Sequence, residues 1–356
     1  MMRDTVTVEN YILCPTYSEA LTVSKAFERF VFHVSFLGKH RKIRAKRFIR
    51  KGGNSSHPYR VIIRYVIPCD GTFEEYGYLD QRTLSKYPDM PKQLLDIPDY
   101  DRPLFVLEHS SYKKDGMIDF VFYRDFKHFL SRSLSKLLGK LYLASVIAFG
   151  NQYPSDCFAI YYKEKGQFWE RLFFAPHSLT TCISKEILPL HTKKVLSISR
   201  VWSWMNQAHY RKKDKGFSEV RALTALSYVI NREPFECLLY ATIGLESIFT
   251  KDEKCVKQQL KNTIPKLFPE ITEEDINQLY RKRSDFVHGD IFFPTNEQYR
   301  TESMDGVFEY HKIARLASTL LLVSIRTLVE TDSTQIFSDA NGIIIYRKNL
   351  PSWLNN

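Results

Sequence analysis

The spacing of apolar and polar positions divides the chain into a strand-rich first part and a helical second part. Short runs of β-branched and aromatic residues, bounded by turn residues, predict strands early in the chain. An irregular, proline-containing loop is expected at residues 87–103. The strands are predicted at residues 59–67, 73–78, 104–108, 117–122, 158–162 and 170–174.

Apolar residues at a helical period predict two helices within the first part and six after it. Ser18 is the expected N-cap of the first, and a basic break at residues 211–215 precedes the last five. Pro265 should end or kink the third of those five. The predicted helices are residues 18–30, 126–149, 197–207, 218–230, 234–249, 254–268, 272–288 and 303–329.

These elements predict an α+β N-terminal domain followed by an all-α helical bundle. The boundaries expected from the pattern are residues 1–212 for the first domain, which is helical from about residue 196, and 213–332 for the bundle. Residues 333–356 form a tail, in which residues 336–346 predict a small hairpin around Asn341-Gly342. The role of residues 1–212 is left open by the sequence.

Composition and cysteine spacing narrow the function classes. A net charge of +11 raises the odds of a polyanionic partner. The six cysteines are far apart and include no C-x-x-C pair, which argues against a zinc ribbon and for reduced thiols in the cytoplasm. No secretory signal begins the sequence, and the longest apolar run, residues 141–149, is too short to span a bilayer. We therefore expect no membrane association, and no motif predicts a metal or a cofactor.

One segment, residues 38–51, is the densest cationic run in the chain. It is a candidate for contact with a nucleic-acid backbone, with Phe48 placed to stack on a base. The alternative is a solvated strand or hairpin, because lysine and arginine are favoured on sheet edges. The nucleic-acid-binding residues predicted here are Lys39, Arg41, Lys42, Arg44, Lys46 and Arg47.

Arg283 and His288 are the residues with the clearest chemical potential. An arginine grips phosphate with its planar fork, and a histidine exchanges protons near neutral pH. Five helical steps set the two roughly 140° apart, so they converge only if the helix loosens at its end, which Gly289 would permit. From the spacing alone, a structural interpretation is commoner than a catalytic one: Arg283 would be a solvated charge on the helix, and His288 a surface residue near the helix end.

The residues around this pair supply further context. The segment LYRKRSDFVHG, residues 279–289, and the segment IGLESIF, residues 243–249, resemble the two signatures of HEPN domains, especially those of the Apea-like group. The resemblance covers about residues 217–329. It implies an all-helical, HEPN-like domain that dimerises so that two R-x4-6-H motifs form one metal-independent ribonuclease site.

Carried onto this sequence, the resemblance gives each residue an expected role. Arg283 would hold the phosphate, His288 would act as acid or base, and Glu246 would orient Arg283. The supporting residues would be Ser284, Asp285 and Tyr280. For Glu246 and Tyr280, stabilisation of helix packing is an equally open interpretation.

The function expected from the resemblance is that of a homodimeric endoribonuclease that cleaves RNA through attack by the 2′-OH, acting as a toxin or antiviral effector. The first alternative is a HEPN module that dimerises or binds nucleic acid without turnover. The second is a sensor whose N-terminal domain binds a protein or a small ligand as its trigger. Which RNA is cut is not encoded in any motif.

Overall fold

A five-stranded antiparallel sheet forms the first layer of the fold in the computed structural model of the chain. Its strands follow the order β4 (Lys46–Lys51), β5 (Tyr59–Pro68), β1 (Thr5–Cys14), β8 (Ser155–Glu164) and β9 (Gln167–Phe174). The structure describes residues 5–36, 39–52, 55–68, 105–109, 120–123, 126–150, 155–164, 167–174, 191, 194–210, 218–230, 234–251, 254–288, 304–339 and 341–348. The strand predicted at 73–78 and the loop predicted at 87–103 lie outside these residues.

The central strand, β1, is one that the pattern of apolar residues does not predict. It pairs with β5 on one side and β8 on the other, with Val8 opposite both Tyr65 and Ile160. Glu9 and Asn10 interrupt its apolar run, yet both are buried. The Glu9 carboxylate accepts a hydrogen bond from the Tyr11 hydroxyl. It also forms an ion pair with Arg64, whose Nε lies 2.5 Å from Glu9 Oε1. A buried carboxylate needs such partners, and sequence alone does not reveal them.

Helix α1 and two small strand pairs accompany the sheet. Helix α1 is Tyr17–Ala26, and its N-cap is Thr16 instead of the predicted Ser18. Thr16 is favoured over Ser18 as the N-cap because Glu19 lies three residues after it. The Thr16 hydroxyl accepts from the Glu19 backbone N–H, and the Glu19 carboxylate accepts from the Thr16 backbone N–H. The two strand pairs are antiparallel: β2 (Val31–Phe36) with β3 (Lys39–Arg44), and β6 (Phe105–His109) with β7 (Phe120–Tyr123).

The remainder of the described chain is mostly helical, as predicted. Helix ends agree with the pattern to within about three residues, including the third bundle helix, which stops two residues after Pro265. The helices are α2 (Phe126–Phe149), α3 (Ile198–Tyr210), α4 (Ser218–Val229), α5 (Pro234–Phe249), α6 (Val256–Leu267), α7 (Glu273–His288) and α8 (Met304–Thr331).

Helix α8 is the centre of the bundle and is buried on nearly every side. Its apolar residues from Ile313 to Val329 are almost all inaccessible, and the buried polar residues Ser318 and Thr319 lie among them. The Ser318 hydroxyl donates to the Ala314 carbonyl at 2.8 Å and Thr319 to the Arg315 carbonyl at 2.7 Å. Because these hydroxyls are satisfied by the helix itself, they are compatible with an apolar core.

Helix α5 lies close against α8 because Gly244 has no side chain. A Cβ atom built there would stand 2.6 Å from Leu321 Cδ1 and 3.0 Å from the Ala225 Cβ of α4. Real Cβ atoms do not come as close as 2.6 Å, so a larger residue here would require the Leu321 side chain or α5 itself to shift. Glu246 lies two residues further along α5.

Two guanidinium groups cap helix ends where the sheet-bearing part meets the bundle. Arg326 of α8 is only 2% exposed, and it donates to the carbonyls of Ile147, Ala148 (2.8 Å) and Lys194 (2.6 Å). Burial lowers the pKa of Arg326 to about 10, still high enough that the group is charged at neutral pH. The last carbonyls of α2 are thus satisfied by a cation, which also suits the negative end of a helix dipole.

Arg200 of α3 caps the C-terminal end of α8, the helix that carries Arg326. It donates to Val329 and Glu330 carbonyls at the end of α8, at 3.1 and 2.6 Å. The buried apolar cluster is continuous from β1 through α2 and α3 into α8. The core therefore crosses the boundary predicted near residue 212.

The terminal hairpin forms as predicted, with somewhat longer strands. Strands β10 (Ser333–Ser338) and β11 (Ile344–Lys348) pair antiparallel, and Gly342 has φ 78°, the left-handed region that favours glycine. Among the described residues, no helix combines the length and apolarity that a membrane span requires.

We expect Arg326→Met to lower the free energy of unfolding by about 3 kcal/mol, because three carbonyls lose a charged donor. Urea unfolding monitored by circular dichroism measures this. Lys312→Met, at an exposed position of the same helix, is the matched control and should change stability by less than about 0.5 kcal/mol. Equal effects of the two substitutions would show that the cap does not stabilise the fold.

Candidate active site

Helix α7 begins where the sequence predicts. Thr272 and Asp275 form the expected reciprocal cap: the Asp275 N–H donates to Thr272 Oγ1 at 3.1 Å, and the Thr272 N–H donates to Asp275 Oδ2 at 2.8 Å. Ile276 and Leu279 are buried and fasten this helix to the bundle. The face carrying Arg283 is thereby turned toward α5.

Glu246 and Tyr280 are joined across the α5–α7 contact. The Tyr280 hydroxyl donates to Glu246 Oε1 at 2.8 Å. Burial, together with the adjacent Glu246 charge and the hydrogen bond to it, raises the pKa of Tyr280 well above its usual range. The phenol therefore stays protonated at any physiological pH and serves as a fixed donor that holds the carboxylate in place.

Arg283 completes this cluster. Its Nη2 lies 4.0 Å from the same Glu246 Oε1 atom, the distance of a loose ion pair and too long for a hydrogen bond. Its side chain is 32% exposed, and its Nε atom is buried without a hydrogen-bond partner. The guanidinium thus faces Glu246, and no hydrogen bond from it is found within the described residues, so donors are left for an anion.

His288 is the last residue of α7, and its side chain is exposed. The helix is regular through this position, so His288 stays roughly 140° around the axis and about 7.5 Å along it from Arg283. The loosening that would let the two converge is not present within the described residues, and Gly289 lies outside them. The described part of one chain therefore brings Glu246, Tyr280 and Arg283 together and leaves His288 apart.

The two remaining predicted supporting residues lie between these groups. Ser284 is exposed and Asp285 is half-buried, both on the last turns of α7. Their supporting roles stay predictions, because no described contact links either to Arg283 or Glu246.

Two features beside the motif are not predicted by the sequence. Lys282 pairs with Glu309 of α8 at 2.9 Å, and the hydrogen bond from Lys282, together with its charge, lowers the pKa of Glu309. Val287 and Phe308 are 54% and 62% exposed, so α7 and α8 each carry an exposed apolar side chain, and that of α7 directly precedes His288. No sequence pattern predicts either feature, because both the ion pair and the exposure of these side chains depend on how the helices pack.

The cationic run forms strands β3 and β4, in agreement with the edge-strand alternative. Strand β4 is at the edge of the five-stranded sheet, and Lys42, Arg44, Lys46 and Arg47 are exposed. The Arg47 side chain donates to the Ser24 carbonyl at 3.2 Å. Lys39 and Arg41 lie on β3, and their side chains are outside the described part. Contact of this surface with nucleic acid stays a prediction.

Comparison with known proteins adds no relative. No family model, curated protein or solved structure matches the chain. Within the described ranges, no three His, Cys, Asp or Glu side chains cluster as metal ligands would. The site's chemistry is therefore argued from its own residues.

We expect Glu246 and Tyr280 to be energetically coupled. In a double-mutant cycle of Glu246→Met and Tyr280→Phe, each of which removes the hydrogen bond, the coupling free energy should be about 1 kcal/mol, the usual value of one such bond. Urea unfolding of the four proteins measures it. The control cycle replaces Tyr280→Phe by Tyr346→Phe on the terminal hairpin, and its effects should add. Additive effects in the first cycle would contradict the described contact.

Proposed function

We propose that the chain is a metal-independent endoribonuclease of the HEPN type. The observation that carries the proposal is the Glu246–Tyr280–Arg283 cluster, in which one carboxylate oxygen accepts from Tyr280 and faces Arg283. The residues brought together are those that the HEPN resemblance singles out in two separate segments. If the motif in α7 were a chance match, Tyr280 and Arg283 would have no reason to lie against Glu246 of α5.

The chemistry of RNA cleavage defines what each group would do. The 2′-OH loses its proton and attacks the adjacent phosphorus, the P–O5′ bond breaks, and the departing 5′-oxygen takes up a proton. A 2′,3′-cyclic phosphate and a 5′-OH result. Arg283 would bind the phosphate and stabilise the charge that develops on its oxygens. His288 would remove or deliver a proton, depending on which side of the phosphorus it faces.

A second copy of the chain would supply what one copy lacks. One His288 serves a single acid or base role, whereas the reaction needs both, and the regular end of α7 keeps His288 away from the Arg283 of its own chain. A twofold axis beside α7 would bring a second Arg283 and His288 to the same phosphate. The exposed Val287 and Phe308 offer apolar area for such contact. We therefore propose a homodimer as the active form.

The same regular helix favours one alternative, a HEPN module that binds RNA or dimerises without turnover. In that case Glu246, Tyr280 and Arg283 form a packing cluster, and His288 is a solvated residue beyond it. The two functions differ in whether His288 is needed for any RNA chemistry.

We expect the purified protein to cleave total RNA in EDTA and to leave cyclic-phosphate ends. His288→Ala should lower the rate by about 10²–10⁴-fold, the usual contribution of a general acid or base. Arg283→Ala should lower it by about 10²–10³-fold. Gel analysis of a time course, with mass spectrometry of the ends, measures both.

Arg281→Ala is the matched control, because Arg281 is an exposed arginine on the same helix two residues from Arg283. It should cleave at close to the wild-type rate. Cleavage that survives His288→Ala would refute the assignment of the site. Binding of RNA by a folded wild-type protein with no cleavage would establish the alternative module.

A further inference from the structure

A cavity of about 480 Å³ lies far along the chain from the HEPN-like motif, between β2, α2 and α3. Its walls carry two basic side chains, Arg29 and Lys140, and one histidine, His33. No carboxylate is among the described residues that line it. A concave site of this volume matches those that bind small organic molecules, and its charge favours an anionic one.

Helix α3 presents one polar face to this cavity. Ser199, Trp202, Ser203 and Asn206 all line it, and their spacing of three and four residues puts them on a single stripe of the helix. The Ser199 hydroxyl oxygen is buried and has no hydrogen-bond partner. Buried polar atoms almost always have a partner, so this hydroxyl is an unsatisfied polar group within the cavity wall, beside the exposed Ser203 hydroxyl.

Lys140 is held in position at the cavity wall. Its ammonium donates to Asn206 Oδ1 at 2.6 Å and lies 4.9 Å from the centre of the Trp202 ring. Because the Asn206 oxygen is occupied by Lys140, the rest of its amide is a donor. Burial lowers the pKa of Lys140, so an anion beside it would offset the cost of keeping it charged.

The opposite wall adds cations at a place where the backbone is strained. Arg29 has φ 57°, a left-handed conformation that glycine would adopt more easily. Lys42 on β3 pairs directly with His33 on β2, and Arg44 pairs with Val31, so all four side chains share one face of the strand pair. Val31 and His33 line the cavity, and Lys42 and Arg44 are exposed cations on the same face of the strand pair.

From this arrangement we propose that the cavity binds a phosphorylated small molecule. Its phosphate would lie among Arg29, Lys140 and the hydroxyl and amide donors of α3, since a phosphate has more acceptor sites than a carboxylate. The volume exceeds that of inorganic phosphate, so an organic part of the ligand would occupy the remaining space, beside Val31. The proposal does not depend on the ribonuclease assignment.

Helix α3 connects this site to the bundle. The stripe bearing Ser199 and Ser203 faces the cavity. On another side of α3, Arg200 donates to the Val329 and Glu330 carbonyls at the end of α8, and Trp204 donates to the Ser333 carbonyl at the start of β10. A ligand that stabilises α3 would therefore stabilise the contact between the sheet-bearing part and the helical bundle.

The test is calorimetric titration of the full chain in chloride buffer with inorganic phosphate, pyrophosphate, AMP and adenosine. We expect saturable binding of AMP and of at least one inorganic probe, and no binding of adenosine. Failure of all three phosphate-bearing probes to bind would overturn the proposal. So would binding of adenosine as strong as that of AMP.

Matched substitutions locate the binding. Ser203 is an exposed lining residue, so Ser203→Glu should fold while adding a carboxylate that weakens AMP binding by about tenfold or more. Ser203→Gln, similar in size and neutral, should bind within a few-fold of wild type. Lys140→Met should also weaken AMP binding by about tenfold, and Lys257→Met on α6 should not.

The last experiment measures binding of a short single-stranded RNA to the same variants. If Ser203→Glu and Lys140→Met weaken binding of this RNA and leave AMP binding unchanged, the cavity is part of an RNA surface and the proposal is wrong. If AMP binding is lost and RNA binding is retained, the small-molecule site is established.

Discussion

The rest of the fold depends on the burial of one helix, α8, together with the buried charge it carries. In this helix, which is enclosed on nearly all sides, the buried Ser318 and Thr319 hydroxyls are satisfied by the helix's own backbone. Arg326 differs, because its guanidinium donates to the carbonyls of Ile147, Ala148 and Lys194 outside the helix. The two halves of the chain are therefore joined by these hydrogen bonds, and the apolar core runs through both.

Packing against α8 also places the candidate site. Gly244 lets α5 approach α8 and α4, and Lys282 ties α7 to Glu309 of α8. Between α5 and α7, Glu246 meets Tyr280 and Arg283. The carboxylate is fixed from one side by a phenol that stays protonated, and it faces an arginine on the other. A cation oriented in this way, with uncommitted donors, suits a phosphate ligand better than a solvated surface arginine does.

The sequence predicts the helical part of this structure better than the sheet. Helix periodicity and caps are local, so the ends of α5 and α7 follow from Pro234, Thr272 and Asp275. Strand β1 escapes prediction because Glu9 and Asn10 are buried only through partners distant in sequence. At the site, the motif predicts that Glu246 and Arg283 meet, but the reach of His288 depends on how α7 ends. The cavity beside α3 has no sequence signature, since Arg29, Lys140 and Ser199 come together only in the fold.

The central claim is that the chain cleaves RNA through attack by the 2′-OH of the RNA itself, with Arg283 and His288 in place of a metal. The most direct measurement compares an RNA oligonucleotide that the protein cuts with the same oligonucleotide carrying one 2′-deoxyribose at the cleaved nucleotide, both in EDTA. The account predicts cleavage of the first, with a 2′,3′-cyclic phosphate end, and an intact bond at that position in the second. Cleavage of both at equal rates, or cleavage only after a divalent ion is added, would contradict it.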